Sequence, residues 1–178
     1  MINIQVAEKC IILKPLERNQ LERAAELYNC SSDIHYATGV FGEVNLQELT
    51  KKIALIEASE NEFIIGLHVN KPEDDGTCQS VLAGLISGEL QDSSLWIKLI
   101  LVSPEYRNNG FGSMAVKALL SYFQSFLKVR EAFLSVIREN TKAINFWMSN
   151  GFSVMKSIRK NVFNDQYPDQ IVIMHKKL

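Results

Sequence analysis

The sequence predicts a single α+β domain: a mixed central sheet of about seven strands with about four helices. Three observations carry that prediction. Short β-branched runs alternate with stretches of helical apolar spacing along the chain. The two longest strand-like runs are parted only by Gln91-Asp92-Ser93-Ser94, the spacing of an antiparallel hairpin. No repeat, linker or low-complexity tract divides the 178 residues, a length that suits one domain with a real core.

In chain order, Cys10-Ile11-Ile12-Leu13 ends at Pro15 and predicts a strand. Leu21, Ala24, Ala25, Leu27 and Tyr28 follow a possible cap at Asn19 and line one helix face. Cys30 to Gly42 carries serines, Asp33 and two glycines, so a loop or broken helix is expected there. Leu46, Leu49, Ile53 and Ile56 space out a second amphipathic helix. Strands are predicted over 63–69, 80–90 and 95–102, with a polar turn at 71–76. Gly110 opens a long helix with Met114, Val116, Leu119, Leu120 and Phe123 on its apolar side. A strand over 133–137 and a helix over 141–150 follow, the helix closed by Gly151, which can adopt the left-handed conformation. Two strands, 152–158 and 170–175, flank a last polar loop.

Composition narrows the function. A net charge of −1 offers no basic footprint for nucleic acid, so no such partner is expected. Cys10, Cys30 and Cys78 are far apart and odd in number, and no Cys/His cluster exists; neither a disulfide framework nor a metal site is expected. No apolar run reaches the ~20 residues that span a bilayer, and the N-terminal residues lack a signal-peptide pattern. A cytoplasmic protein without membrane contact is the expectation.

The segment with chemistry runs from Leu99 to Ser113. A hydrophobic strand turns at Ser103-Pro104-Glu105-Tyr106 into Arg107-Asn108-Asn109-Gly110-Phe111-Gly112-Ser113 and then into a helix. The first N–H groups of a helix have no intrahelical partner, and the dipole places partial positive charge there. An anion such as a pyrophosphate is stabilised at that end. Gly110 and Gly112 would let it approach or supply a positive φ, and Arg107 adds a charged donor. Two glycines can equally make a tight turn and nothing more. Gly110-x-Gly112-x-x-Ala115 also satisfies the dinucleotide fingerprint, but Glu131 lies before the next strand, Arg138-Glu139-Asn140 follow it, and too little chain remains for a doubly wound sheet.

Two motifs together resemble the GNAT superfamily of N-acetyltransferases. The first is Val102-Ser103-Pro104 followed by Arg107-Asn108-Asn109-Gly110-Phe111-Gly112. The second is Leu134-Ser135-Val136 followed by Asn140, Ala143, Phe146, Trp147, Gly151 and Phe152. The resemblance covers about Val81 to Phe152. It implies a mostly antiparallel sheet that splays between its fourth and fifth strands, counted as 95–102 and 133–137, with acetyl-CoA in the opening. Pantetheine would pair with the backbone of Ile100, Leu101 and Val102, and the pyrophosphate would sit on Asn108 to Ser113. Asn140 would hydrogen-bond the cofactor, with Ala143 beside it, and Phe146 would flank its thioether end or belong to the core. The reaction implied is direct attack by a primary amine of a small molecule or peptide. A module that binds CoA without strong catalysis is the alternative, and a homodimer paired through the last strand is expected of the family.

Two departures from the family pattern leave the acid–base groups open. The strand that often carries a carboxylate reads Trp96-Ile97-Lys98-Leu99, so Glu89 on the preceding strand becomes the candidate base, active on the ascending pH limb; Glu43 and His35 are weaker ones. Trp147 stands where many members have a tyrosine acid, and an indole N–H cannot supply that proton. Tyr106 is the remaining candidate, against a plain role in turn packing. His68 and His175 read as structural, and Lys156, Arg159 and Lys160 as solvated. The loops 30–44 and 160–169, with Asp33, Glu43, Asp165 and Asp169, are expected to wall the acceptor site.

Overall fold

The computed structural model describes residues 4–8, 10–30, 43–72, 78–160 and 169–178. Among these stand eight strands and four helices. They are β1 (Val6–Glu8), β2 (Ile11–Pro15), α1 (Leu21–Asn29), α2 (Leu46–Ala58), β3 (Glu62–Pro72), β4 (Cys78–Gln91) and β5 (Ser94–Val102), then α3 (Phe111–Leu127), β6 (Glu131–Ile137), α4 (Thr141–Ser149), β7 (Ser153–Lys160) and β8 (Asp169–Lys177). The sheet order is β1-β2-β3-β4-β5-β6-β8-β7. Every pair is antiparallel except β5 and β6.

Two differences from expectation concern the margins of the sheet. β1 is an added strand, paired Val6 to Leu13 through Glu8 to Ile11, and three residues are too few to show an alternation. The last strand is not an edge. β8 is inserted between β6 and β7, so β7 forms the margin. The burial follows that placement: Val172 and Met174 of β8 are buried in the core, whereas Val154, Met155 and Ile158 of β7 are exposed. The segment 31–42, the turn at 73–77 and the loop at 161–168 lie outside the described residues, with His35, Asp33 and Asp165 among them.

Helices cover both faces. α1 buries Ala24, Leu27 and Tyr28, and α2 buries Leu49 and Ile53, all against Ile64, Leu82 and Leu85. α2 starts on Asn45, whose side-chain oxygen accepts the Glu48 N–H at 2.9 Å, a cap worth about 1 kcal/mol. On the opposite face α3 buries Ala115, Val116, Ala118, Leu119, Leu120 and Phe123 against Leu13, Phe63 and Ile65.

One residue changes the sidedness of β5. Ser87 of β4 is opposite Leu99, but its neighbour Gly88 is opposite Ile97, so Lys98 is an extra residue in a β-bulge. A strand alternates faces with period two, and an extra residue inverts the alternation. Leu95 and Ile97 accordingly join the α3-side core, and Leu99 and Leu101 join the α1-side core. The parallel pairing of β5 with β6 stops at the same place. It runs from Ser94 and Glu131 to Ile97 and Leu134, and beyond it the two strands part. The sheet splays where expected, between 95–102 and 133–137.

His68 is structural, as its strand position suggests. It is fully buried, and its Nε2 lies 2.9 Å from Gln20 Nε2 in the turn that leads into α1. Gln20 Oε1 accepts the Glu17 N–H, so its amide nitrogen donates to an unprotonated Nε2. Gly66 leaves the room: a Cβ there would be 2.6 Å from the His68 ring. Burial first, and the Lys14 charge second, push the His68 pKa below its ordinary value. The unfolded chain then binds a proton that the folded one resists, so stability is lost as pH falls below about 6.5. The thermal midpoint of the parent should drop between pH 7 and pH 5, and His68→Gln should flatten that dependence; equal slopes would remove His68 from the pH response.

Candidate active site

The parting of β5 and β6 opens a pocket. Ile97, Lys98, Leu99 and Ile100 form one wall, Leu134, Ser135 and Val136 the other, and Asn140, Ala143 and Trp147 of α4 close its end. Past Ile97 the backbone of β5 is paired with β4 on one side only, which leaves a free edge of N–H and C=O groups inside the opening. An extended amide chain can pair with such an edge. Val102 uses part of its capacity within the protein, because Arg107 Nε donates to its carbonyl at 2.8 Å.

The start of α3 lies at one end of this edge. α2 and α4 begin on asparagine caps, the latter on Asn140, whose Oδ1 accepts the Ala143 N–H at 3.0 Å. α3 begins on Gly110 with no side-chain cap. Its first N–H groups, on Phe111, Gly112 and Ser113, therefore remain for an anion. Asn108 (φ 62°) and Gly110 (φ 78°) both adopt the left-handed conformation and fold the loop around that end. Nothing approaches within 4 Å of a Cβ placed on Gly110, which leaves the space beside it open.

Gly112 has a different role. Its φ is not positive; instead a Cβ there would meet the Phe146 ring at 3.3 Å and Val102 Cγ2 at 3.6 Å. It lets α4 pack against the first turn of α3. Asn150 reinforces this contact, its Nδ2 donating to Ser113 Oγ at 3.2 Å and to the Phe146 carbonyl at 2.7 Å. Phe146 thus belongs to the joint between α3 and α4, beside the loop. Asn140 lines the pocket with its oxygen already used as a cap, so its amide N–H groups are what it can offer a ligand.

The candidate acid–base residues fall in different places. Tyr106 is buried, its ring 6.2 Å from that of Phe111 with Lys71 Nζ 4.8 Å above it, and it is not among the pocket-lining residues. Glu89 stands on the α1 side of the sheet with Ser87, and its Oε2 is 2.6 Å from Lys98 Nζ. Lys98 also binds the Glu62 carboxylate, so one ammonium is held between two acids at the pocket rim. Hydrogen bonds from Lys98 and then Gln91 hold Glu89 below the usual carboxylate range. It is ionised throughout the neutral range, and an ascending pH limb cannot be its own. Glu43 is exposed at the end of the 30–44 loop. Trp147, 5% exposed, occupies the pocket wall where a tyrosine would stand.

Sequence reasoning did not find Lys98 or Ser135 as pocket residues. Both are set by the cross-strand register, which no local pattern encodes. Among the described residues no group of three metal-ligating side chains comes together, and no helix is long and apolar enough to cross a membrane.

A sheet opened beside an uncapped, glycine-led helix can take an extended amide chain along the free edge and an anion at the helix start. The single parallel strand pair excludes a doubly wound dinucleotide fold. Residues 22–152 match the model of the Acetyltransferase (GNAT) family, and the chain belongs to that family. The spermidine N(1)-acetyltransferase of Escherichia coli (strain K12) is 30% identical over 164 residues, covering 89% of this chain and 82% of that protein. The crystal structure of spermidine N-acetyltransferase from Vibrio cholerae, in complex with CoA and spermine, superposes with a TM-score of 0.76 at 19% identity, over 96% of both chains. A probable GNAT-family acetyltransferase from Chromobacterium violaceum gives 0.79 at 14% identity, over 99% of this chain and 87% of that one. The reaction is acetyl-CoA-dependent N-acetylation of an amine.

If the α3 terminus holds the pyrophosphate, Gly112→Val should weaken acetyl-CoA binding by more than about tenfold, since it displaces Phe146 and crowds the loop. Calorimetry on the folded variant reads this directly, and an unchanged Kd would place the phosphates elsewhere.

Proposed function

We propose that this enzyme acetylates a small aliphatic polyamine. The observation that carries the reading is the carboxylate pair at the pocket mouth: Glu62 and Glu89 both hold the ammonium of Lys98, which lines the pocket, and so offer carboxylate oxygens to a cationic amine. Such a mouth concentrates cationic amines. The relative from Escherichia coli, similar over most of both chains and named for spermidine, supports the same class.

In this reading the N–H groups of α3 and the Arg107 side chain hold the pyrophosphate, and the free edge of β5 at Ile100, Leu101 and Val102 aligns the pantetheine. Backbone N–H groups on that edge donate to the oxygen of the thioester carbonyl as the amine nitrogen adds to its carbon. The C–S bond then breaks, the acetamide forms, and CoA leaves as a thiolate. A thiol pKa near 8.5 makes that departure tolerable without a tyrosine acid. Glu89 takes the proton lost by the amine, directly or through water, and passes it to solvent. Because Glu89 is ionised well below neutrality, the ascending limb of the rate profile belongs to the acceptor ammonium, whose pKa is about 10.4 in free alkylamines.

Assembly through β7 is part of the proposal. As the margin of the sheet it offers unpaired backbone and the exposed side chains of Val154, Met155 and Ile158, and a second copy can pair with it across a two-fold axis. The free thiols Cys10, Cys30 and Cys78 fit a reducing cytoplasm.

Thiol release from acetyl-CoA over an amine panel tests the acceptor class. Diamines and triamines should exceed amino-acid amides and peptides in kcat/KM; turnover confined to peptides would replace this reading. Glu89→Gln should lower kcat by roughly 10²-fold while leaving acetyl-CoA affinity intact, and a rate profile that overlays the parent would remove Glu89 from the proton path. Light scattering at tens of micromolar should give a dimer, which Met155→Lys should weaken; a monomeric parent would dispose of the β7 interface.

A further inference from the structure

The parallel register of β5 and β6 places two aromatic residues side by side on the face that carries Glu89. Leu95 and Ile97 point into the α3-side core, so Trp96 between them points the other way; Ala132 and Leu134 do the same for Phe133. Trp96 pairs with Phe133, their rings stacked at 5.2 Å with an interplanar angle of 20°. His175 of β8, opposite Phe133, extends the row with its ring centroid 4.8 Å away. None of the three is fully buried. The row begins two residues from the pocket, since Lys98 and Ser135 line that pocket and share strands with Trp96 and Phe133.

Carboxylates stand on both sides of the row. Glu89 is the cross-strand partner of Trp96 and, with Glu62, one of the two carboxylates on Lys98. At the far end Glu131 shares the face of Phe133, and its Oε1 lies 3.3 Å from His175 Nε2. At ~3.3 Å per residue, Glu131 is about 13 Å along β6 from Ser135 at the pocket, a span that an extended triamine covers. Rings stacked on one another present their edges as an apolar strip that takes methylene groups, and the cationic ends are left to the carboxylates.

We propose that the Trp96–Phe133–His175 row is the binding track for the non-reacting part of the acceptor, with the methylene chain on the rings and the distal ammonium at Glu131. The proposal rests on the polyamine reading above and names the residues that select for length and distal charge. A monoamine fills the pocket alone; a triamine gains the track.

Steady-state kinetics of the full-length protein with spermidine and with propylamine separates the two contributions. Trp96→Ala and the surface variant Glu131→Gln should each raise KM for spermidine by about three- to fivefold, with propylamine kinetics and acetyl-CoA affinity unchanged. Trp96→Phe should recover most of the loss. If the parent acetylates spermidine and the variants lose both substrates in proportion, or neither, the track is overturned while the polyamine reading survives. If the parent acetylates propylamine and not spermidine, the reading falls and the track with it.

Discussion

The single extra residue in β5 is the constraint on which the rest of the molecule depends. Inserting Lys98 opposite the Ser87–Gly88 step inverts the alternation of the strand, so that its first half packs under α3 and its second half under α1. Pairing with β6 ends at Ile97, and both walls of the pocket follow from that divergence. The bulge also gives Lys98 its position between Glu62 and Glu89. Fold and site therefore have one origin: a strand that serves two cores cannot stay in register with its parallel neighbour.

Much of this architecture was legible in the residues, because it rests on local rules. Helical spacing located α1, α2, α3 and α4, the Gly110-Phe111-Gly112 turn marked the start of α3, and Gly151, with φ 84°, ends α4 as its type suggests. What escaped was relational. Leu95, Ile97, Leu99 and Leu101 read as one unbroken alternation, although the structure divides them between two cores. The bulge is visible only against β4. The stacking of Trp96 on Phe133 likewise needs the parallel register, and the insertion of β8 beside β6 needs the whole sheet order.

The charges at the pocket show how a departure from the family pattern can be absorbed. A lysine stands on the strand where a carboxylate is common, and carboxylates from β3 and β4 pair with it. The carboxylates stand on neighbouring strands, on the face that Lys98 shares. Exposed pairs of this kind contribute little to stability, generally under 1 kcal/mol. Their effect is on the potential that an arriving amine meets.

The missing cap on α3 reaches beyond recognition. An asparagine at the head of α2 and of α4 completes each helix from within the chain, but α3, the helix that anchors the core of its face, leaves its opening turn unfinished. An anion that supplies acceptors there finishes the hydrogen bonding of the helix and stabilises the folded state in proportion to the logarithm of its concentration over Kd. Without an anion, the N–H groups of Phe111 to Ser113 have no acceptor within the helix. A co-substrate phosphate seated there would act on folding as well as on recognition.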